Sequence, residues 1–322
     1  MKKFSWNKTT KIISVAIIAI VIVSGLFIYE ANQPPSQGKV ITVSSNVNGI
    51  SLHRIVSLDP AATATLYALG SYKYLVGGNS CDSYPPNETL TNVSDYPTMS
   101  IQEIVNLSPD AVISFSDYNQ SQISQLTSLG IDYIFLSSGT GSGMSLIEKQ
   151  TTLLGELTGN SENASLINQW MNTSLQDFNN TNVSTNYSMF YALSPGSHGT
   201  WTAGNSTFMN QIFTYAHLKN IAANQTGFYE ISNEVIVSSN PQYLILDQYF
   251  NDSLLSSAPY VNTTAYKNNH YFNIFDDNLF QQPNFRSIFA IEWLMEKIYN
   301  VTVTLPTFPL TLQYNPEPAP VR

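Results

Sequence analysis

Cysteine and charged residues are both scarce in this sequence. The chain of 322 residues contains a single cysteine, Cys81, so it can form no internal disulfide and no cluster of thiolate ligands for a metal. Charged residues make up only 11% of the chain, against a usual ~25%, and the net charge is −9. Without a basic patch to neutralise phosphates, the composition argues against a nucleic-acid partner.

Histidine is also scarce, and its spacing does not suggest a metal site. The four histidines are His53, His198, His217 and His270. No two of them have the i, i+4 spacing of a helical zinc site, and the sequence has neither a G-x-S-x-G elbow nor a P-loop. Asp276 and Asp277 could be paired acids, but a solvated turn is the stronger interpretation. The Gly-Ser loop 140–145 could bind an anion, but a flexible loop is the stronger interpretation. The sequence therefore predicts no catalytic residues, no bound metal, no resident cofactor and no enzyme.

One long apolar run is present, at residues 12–28 (IISVAIIAIVIVSGLFI). Four lysines precede it, Lys2, Lys3, Lys8 and Lys11. This order is typical of a secretory signal or a single membrane anchor, and the run is close to the shortest length that spans a bilayer, ~17–25 residues. No A-x-A cleavage site follows, and no nearby cysteine offers a lipid attachment point. We expect residues 1–28 to be an uncleaved anchor with its lysines in the cytoplasm and the rest of the chain outside the cell, with a cleaved signal as the alternative.

Asn-x-Ser/Thr sequons are unusually frequent after this run. They begin at Asn87, Asn92, Asn106, Asn119, Asn163, Asn172, Asn179, Asn182, Asn186, Asn205, Asn224, Asn251, Asn262 and Asn300. On an exported chain, this density predicts a glycosylated surface. Together with the low charge and the lack of disulfides, it suggests a microbial and specifically an archaeal surface protein.

The first half of the chain alternates between strand-like and helix-like runs. Residues 29–51 are polar and contain Pro and Gly, which predicts a spacer. The stretch RIVSLDPAATATLYALG, residues 54–70, reads as a buried strand that turns at Asp59-Pro60 directly into a helix. The further elements predicted for this half are strands at 111–115 and 132–136 and a helix at 121–130. Such alternation predicts α/β architecture with a largely parallel sheet.

A helical region in mid-chain separates this half from a second α/β half. Its segments are 144–159 and 161–178, and Ser161 is a candidate cap for the second. The second half is predicted to contain strands at 188–193, 243–247 and 271–275 and a helix at about 285–299. We therefore expect an N-terminal lobe at 52–160, a linking helix at 161–185, a C-terminal lobe at 186–300 and an extended Pro-rich tail at 301–322.

A weak internal repeat supports two lobes. SIQEIVNLSPDAVI begins at Ser100, and SNEVIVSSNPQYLI begins at Ser232. Aligned without gaps, both read as a short helix, a turn containing Pro and a strand. Chance similarity between two ordinary helix-turn-strand units is the alternative explanation.

Aromatic residues in predicted loops are the best candidates for a binding site. They are Tyr84, Tyr96, Trp201, Phe228 and Tyr229. Loops on a rigid α/β scaffold commonly carry binding groups, and aromatic rings from two lobes can hold a flat or bulky ligand between them. The alternative is that these rings simply pack beneath the loops.

Several stretches together resemble one family of proteins. They are RIVSLDPAATATLYALG, LVGGNSCDSYPP, SIQEIVNLSPDAVI, LGIDYIFL, GFYEISNEVIV, NPQYLIL and AYKNNHYFNI. Over residues 52–299 and in this order, they are similar to the substrate-binding proteins of ABC importers for vitamin B12 and iron–siderophore complexes. The resemblance implies an α/β fold of two Rossmann-like lobes joined by a single long helix, with a ligand cleft between the lobes. It also implies a monomer whose partners are an ABC permease and its ATPase, and a small-molecule ligand.

The resemblance also implies roles for particular residues. In the vitamin B12-binding branch, aromatic residues at the positions of Tyr84, Tyr96, Trp201 and Phe228 contact the corrin ring, and Tyr229 and Arg286 join them as candidates. Ser83 interrupts the family's run before Tyr84. Few arginines are available for an anionic chelate, so the resemblance favours a corrinoid ligand over a ferric siderophore, with haem and oxyanions such as molybdate also possible.

In proteins of this family, an acidic residue on each lobe binds arginines on the permease. In the second lobe, that position falls on Glu234. In the first lobe it falls on Gln102, and Glu103 follows it. The resemblance thus predicts permease docking through Glu234 and through Gln102 or Glu103.

Overall fold

The computed structural model describes residues 37–86, 88–94, 98–116, 118–136, 143–248, 250–314 and 316. The predicted anchor at residues 1–28 lies outside these residues, as do Asn87, Tyr96 and residues 137–142. In the part of the chain that is described, no helix combines the length and the apolar character needed to cross a bilayer.

A six-stranded, all-parallel sheet forms the N-terminal lobe. Its strands are β1 (Val40–Ile41), β2 (Ile55–Ser57), β3 (Leu75–Asn79), β4 (Asn92–Ser94), β5 (Ala111–Ser114) and β6 (Asp132–Phe135). They lie in the order β1-β6-β5-β2-β3-β4. Every residue of β2 and β5 is buried, as expected for a parallel sheet that is covered on both faces. The helices of this lobe are α1 (Pro60–Ala68), α2 (Ile101–Asn106), α3 (Gln120–Ser128) and α4 (Met144–Leu157).

The joint between β2 and α1 is as tight as the sequence predicts. Asp59 is the N-cap of α1, and its carboxylate accepts a hydrogen bond from the backbone N–H of Ala61. Pro60 occupies the first helical position, where its missing N–H costs nothing and its fixed φ suits the helix. A strand therefore passes into a helix with only two residues between them.

The lobes are connected by α5 (Ser161–Asn180), which packs along α4. Its buried residues include Ala164, Ile167, Met171 and Phe178, at the spacing of one helical face. The predicted cap at Ser161 is wrong. The N-cap is Asn160, which makes no side-chain cap because its amide donates to Ser71 Oγ and to the backbone oxygen of Thr158.

A second parallel sheet forms the C-terminal lobe, in the order β10-β7-β12-β13. Its strands are β7 (Ser188–Ala192), β10 (Lys219–Asn220), β12 (Tyr243–Leu246) and β13 (Tyr271–Asn273). An antiparallel ribbon, β8 (Ser194–Pro195), β9 (Gly199–Ala203) and β11 (Phe228–Ser232), lies beside it. The helices are α6 (Phe208–Tyr215), α7 (Asn233–Ser239), α8 (Asp252–Leu255), α9 (Thr264–Lys267), α10 (Asp277–Gln281) and α11 (Ser287–Tyr299).

The core is divided by the two sheets. Along β2, Ile55 belongs to the largest apolar cluster, whereas Val56 belongs to a smaller cluster on the opposite face. Along β7, Tyr191 and Phe190 divide in the same way. Alternate residues of a strand point to opposite faces of the sheet, so each sheet packs against two clusters. The largest cluster contains residues from one face of both sheets and from α5, and it therefore fills the interior between them. The two smaller clusters close the other faces of the sheets.

The N-terminal lobe begins earlier than the sequence suggests. Val40 and Ile41, inside the predicted spacer 29–51, pair with Tyr133 and Ile134 of β6 and form the edge of the sheet. Ile41 is buried. A run of two apolar residues is too short to predict a strand from sequence. Val40 and Ile41 form a strand because they pair with the edge strand β6.

The internal repeat is visible in the structure. Ser100 caps α2 by accepting a hydrogen bond from Glu103 N at 3.4 Å, and Ser232 caps α7 by accepting one from Val235 N at the same distance. Each helix leads into a central strand of its lobe, β5 or β12. The two copies therefore occupy equivalent places in the two lobes.

Candidate functional site

The carboxyl ends of the parallel strands identify the candidate site. In open α/β sheets, ligands bind in the crevice beyond these ends. Asp59 follows β2, Asp82 follows β3, Asp247 follows β12 and Asp276 follows β13. Pro283 of the C-terminal lobe lines a small cavity together with Asp59 and other N-lobe residues, so these ends of the N-terminal sheet face the other lobe.

Two acidic residues of the N-terminal lobe have pKa values above the ordinary value of a carboxyl group. Asp59 is only 5% exposed, and burial raises its pKa to about 7. Burial also raises the pKa of Asp82 to about 6, and the negative charge of Asp82 opposes ionisation of Asp59. A polar cavity of about 330 Å³ opens beside Asp82, lined also by Tyr72, Glu88 and Asn92.

The acidic residues of the C-terminal lobe are tied into its structure. Asp247 is buried and accepts hydrogen bonds from the Tyr191 hydroxyl and Gln281 Nε2, each at 2.7 Å. Burial, with the nearby charges of Asp247 and Asp276, raises the pKa of Asp277 to about 6. Asp276 and Asp277 are therefore half-buried rather than simply solvated, and Asp276 is the N-cap of α10.

Basic residues are segregated from these carboxylates. Five lie before or at the start of a parallel strand: Lys39, Arg54, Lys73, Lys219 and Lys267. The amino ends of the strands lie at the opposite edge of each sheet from the cleft. Arg286 lies near the carboxyl ends, and Asp276 pairs with it at 3.5 Å. The cleft edge of the protein is therefore acidic.

Tyr84 and Arg286, two of the predicted ligand-binding residues, are brought together by the fold but are covered. Tyr84 is 4% exposed and Arg286 is 6% exposed. The Tyr84 hydroxyl donates to the backbone oxygen of Tyr314 at 2.9 Å, and Arg286 Nε donates to the backbone oxygen of Pro316 at 3.0 Å. Both polar groups are thus satisfied within the chain.

Trp201 and Phe228 lie in strands, not in the loops that the sequence suggests. Trp201 is in the centre of β9, opposite Glu230, and Phe228 begins β11, opposite Ala203. This register puts both rings on one face as diagonal neighbours. Trp201 is 40% exposed and Phe228 is 36% exposed, which is unusual for large apolar side chains. The glycines around Trp201 suggested a loop, but the alternation of residues 228–232 is the signal that could have predicted the strand.

The other predicted contacts are less open. Tyr229 points to the opposite face of the ribbon from Trp201, and its hydroxyl donates to the backbone oxygen of Ala222 at 3.0 Å. Tyr96 lies outside the described residues, so its role in ligand binding stays a prediction. No group of three or more His, Cys, Asp or Glu side chains that could hold a metal is found in the described part of the chain.

The predicted docking residues are all exposed. Glu234 lies in the first turn of α7, where hydrogen bonds from its own backbone N–H and from the Ser232 hydroxyl lower its pKa. Gln102 and Glu103 lie at the equivalent place on α2, and Gln102 Nε2 donates to Asn106 Oδ1 at 2.9 Å. Their role in docking stays a prediction.

Comparison with known proteins agrees with this geometry. A family described as periplasmic binding protein matches residues 55–277. The chain belongs to the periplasmic binding protein family. An uncharacterized ABC transporter substrate-binding lipoprotein of Bacillus subtilis, YvrC, is 28% identical to it over 255 residues, 76% of this chain and 80% of that protein. A cobalamin-binding protein of Halobacterium salinarum is 26% identical over 291 residues, 85% of this chain and 76% of that protein.

Solved structures share the fold of this periplasmic binding protein. The periplasmic heme-binding protein HutB of Vibrio cholerae superposes with a TM-score of 0.69 at 18% identity, covering 76% of this chain and 98% of that one. The vitamin B12-binding protein BtuF of Vibrio cholerae gives a TM-score of 0.63 at 20% identity, covering 77% of this chain and 97% of that one. At these identities, the likeness confirms the α/β fold with two lobes and no more than the fold.

Proposed function

We propose that this periplasmic binding protein is the extracellular receptor of an ABC importer, and that it captures a corrinoid in its cleft and delivers it unchanged to the permease. The observation that carries the choice of ligand is the distribution of charge. Asp59, Asp82 and Asp277 lie at the carboxyl ends of the strands, whereas Lys39, Lys73, Lys219 and Lys267 lie before or at the start of strands and Arg286 is already paired with Asp276.

An anionic ligand fits this edge poorly. Haem carries propionates, catecholate and carboxylate siderophores are anionic, and oxyanions such as molybdate are themselves anions. Proteins bind such groups with arginine, lysine or open backbone N–H groups. A corrinoid ring is surrounded by amide side chains, which can donate hydrogen bonds to carboxylates.

The exposed aromatic pair supports the same ligand. Trp201 and Phe228 offer a flat apolar surface on one face of the β9–β11 ribbon, and β8, the first strand of that ribbon, follows β7 near its carboxyl end. Large rings stack well on such a surface and lose little entropy when they bind. The name of the Halobacterium salinarum relative, a cobalamin-binding protein, points in the same direction.

Calorimetry on the full purified chain tests the proposal. Cyanocobalamin, haem, a ferric tris-catecholate and molybdate are titrated separately at the same pH and salt. We expect saturable binding of cyanocobalamin, and mass spectrometry should recover it chemically unchanged. Binding of haem or the ferric chelate with no binding of cyanocobalamin would move the protein to the alternative ligand class. Turnover of any of the four ligands would favour an enzyme on this fold, and binding of none would favour a glycosylated surface protein.

A further inference from the structure

The chain continues past the last helix as an ordered, extended segment. Residues 301–314 leave α11 at Asn300 and pack against the linking helix. Trp170 Nε1 of α5 donates to the backbone oxygen of Pro306 at 2.8 Å, and the ring of Phe308 lies 5.1 Å from that of Trp170. Phe308 also contacts Phe285 of the C-terminal lobe, with ring centroids 5.3 Å apart. The first part of the segment is therefore fixed to α5 and the C-terminal lobe.

The second part of the segment is bound to the N-terminal lobe through Tyr314. Its backbone N–H donates to the Tyr67 hydroxyl at 2.9 Å, and its backbone oxygen accepts from the Tyr84 hydroxyl at 2.9 Å. Its ring lies 6.0 Å from that of Tyr67, and its hydroxyl reaches Glu88 at 3.5 Å. One residue of the tail thus holds two elements of the N-terminal lobe.

Two residues further on, the chain returns to the C-terminal lobe, where the Pro316 backbone oxygen accepts from Arg286 Nε. Arg286 in turn lies over the Tyr84 ring. The tail therefore crosses between the lobes beside a direct contact of one lobe with the other. It lies beyond residues 55–277, the part of the chain that matches the family.

We propose that residues 301–314 are an interlobe strap that limits how far the two lobes can separate. Opening the cleft moves Tyr84 away from Arg286, and while Phe308 stays fixed to Trp170, that movement must break the hydrogen bonds of Tyr314 to Tyr67 and Tyr84. The strap therefore slows opening of the cleft. Given the proposed function, it also slows release of the ligand.

The strap can be tested without any ligand. In the full chain with Cys81→Ser, nitroxide labels on Leu129→Cys and Ser239→Cys report the distance between the lobes by double electron–electron resonance. A chain ending at Leu310 keeps Val303 and Phe308, and it loses the hydrogen bonds of Tyr314 to the N-terminal lobe together with the hydrogen bond from Arg286 Nε to the Pro316 oxygen. We expect a wider distance distribution in this variant than in the full chain. Tyr314→Phe, which keeps both backbone hydrogen bonds, is the matched control and should leave the distribution unchanged.

A ligand arm separates the strap from the proposed function. Loss of three hydrogen bonds, two of them part-buried and one buried, should raise the dissociation rate of cyanocobalamin by ~10-fold in the shortened chain. A wider distribution in a protein that does not bind cyanocobalamin would leave the strap standing and refute the ligand. An unchanged distribution in the folded, shortened chain would refute the strap whether or not ligand binds. If the shortened chain does not fold, the double variant Tyr67→Phe with Tyr84→Phe decides by the same distance measurement.

Discussion

The guanidinium group of Arg286 lies over the aromatic ring of Tyr84, with its central carbon 4.5 Å from the ring centroid. Arg286 belongs to the C-terminal lobe and Tyr84 to the N-terminal lobe, so this cation–π contact joins the lobes directly. The resemblance to the vitamin B12 receptors predicts both residues as ligand contacts. In the structure, the two residues contact each other and the tail. We therefore expect a substitution of either residue to lower the stability of the fold first.

Arg286→Met tests this structural role. The change keeps an apolar stem but leaves Asp276 and the Pro316 oxygen without their cation, and breaking such a partly buried pair should destabilise the protein by ~2–4 kcal/mol. Urea denaturation measures the free energy of unfolding. Lys297→Met, on the exposed side of α11, is the control and should change it by less than ~0.5 kcal/mol. Equal stability of the two variants would contradict a structural role for Arg286.

Trp201→Ala tests the aromatic face of the ribbon. A ring that stacks on the ligand contributes on the order of 1–3 kcal/mol, so cyanocobalamin affinity should fall roughly 5- to 150-fold. Leu129→Ala, at another exposed apolar residue, should leave affinity unchanged. Calorimetry on folded variants gives both values. If Trp201→Ala binds as tightly as the parent chain, Trp201 lies outside the ligand site.

Asp59→Asn tests the buried carboxyl at the start of α1. Because the pKa of Asp59 is raised to about 7 in the folded state, the folded protein binds a proton that the unfolded chain releases near its ordinary pKa. The stability from this proton is fully present below the unfolded pKa and is lost as pH rises from about 4 through about 7, by at most about 4 kcal/mol. Asn keeps the cap acceptor without the charge.

Thermal unfolding of the two proteins between pH 5 and pH 8 measures this effect. We expect the parent chain to lose stability over that range and Asp59→Asn to lose clearly less. Parallel curves would show that Asp59 does not titrate in this range. Asp132→Asn, at a half-buried site at the amino end of β6, where Asn keeps the oxygen that accepts from Lys39 N, is a control for general charge effects.

Glu234→Lys tests docking to the permease. If Glu234 meets an arginine on the permease, reversal of its charge should slow transport and weaken the complex while ligand affinity stays the same. Gln102→Glu should strengthen docking if the N-terminal lobe docks through the equivalent position. Glu296→Lys is a matched charge reversal at an exposed residue of α11. Reconstituted transport at the parent rate by Glu234→Lys would make Glu234 only a favourable residue at a helix start.

Glycopeptide mapping of protein from its native host tests the predicted sugars. Asn163 is half-buried, and its Nδ2, the atom that would carry the sugar, donates to the Leu69 backbone oxygen at 3.0 Å. The other described sequon asparagines are all exposed: Asn92, Asn106, Asn119, Asn172, Asn179, Asn182, Asn186, Asn205, Asn224, Asn251, Asn262 and Asn300. We expect sugars on several of these and none on Asn163. An unmodified chain would remove the prediction of a glycoprotein, and a modified Asn163 would contradict the packing of α5 against α1.

Much of this protein was determined by sequence alone, because the relevant signals act between near neighbours. Short apolar runs made the central strands recognisable, and helical spacing of apolar residues showed α4 and α5. Asp59 and Pro60 marked the start of α1, and Gly130, with its φ of +82°, the end of α3. The resemblance added the two lobes, which the family match confirms.

The tertiary structure decided what the candidate residues do. Tyr84 and Tyr314 are 230 residues apart, and no local pattern shows that the tail returns to cover Tyr84 and Arg286. The same holds for the ribbon, where pairing with β11 made a strand of the glycine-rich segment around Trp201 and left its ring exposed. Burial and pairing between distant segments depend on the whole fold, whereas helices and turns depend on a few consecutive residues. The sequence therefore determined the main helices and central strands and their order, whereas the packing of distant elements decided the short strands β1 and β9 and which aromatic residues remain open to a ligand.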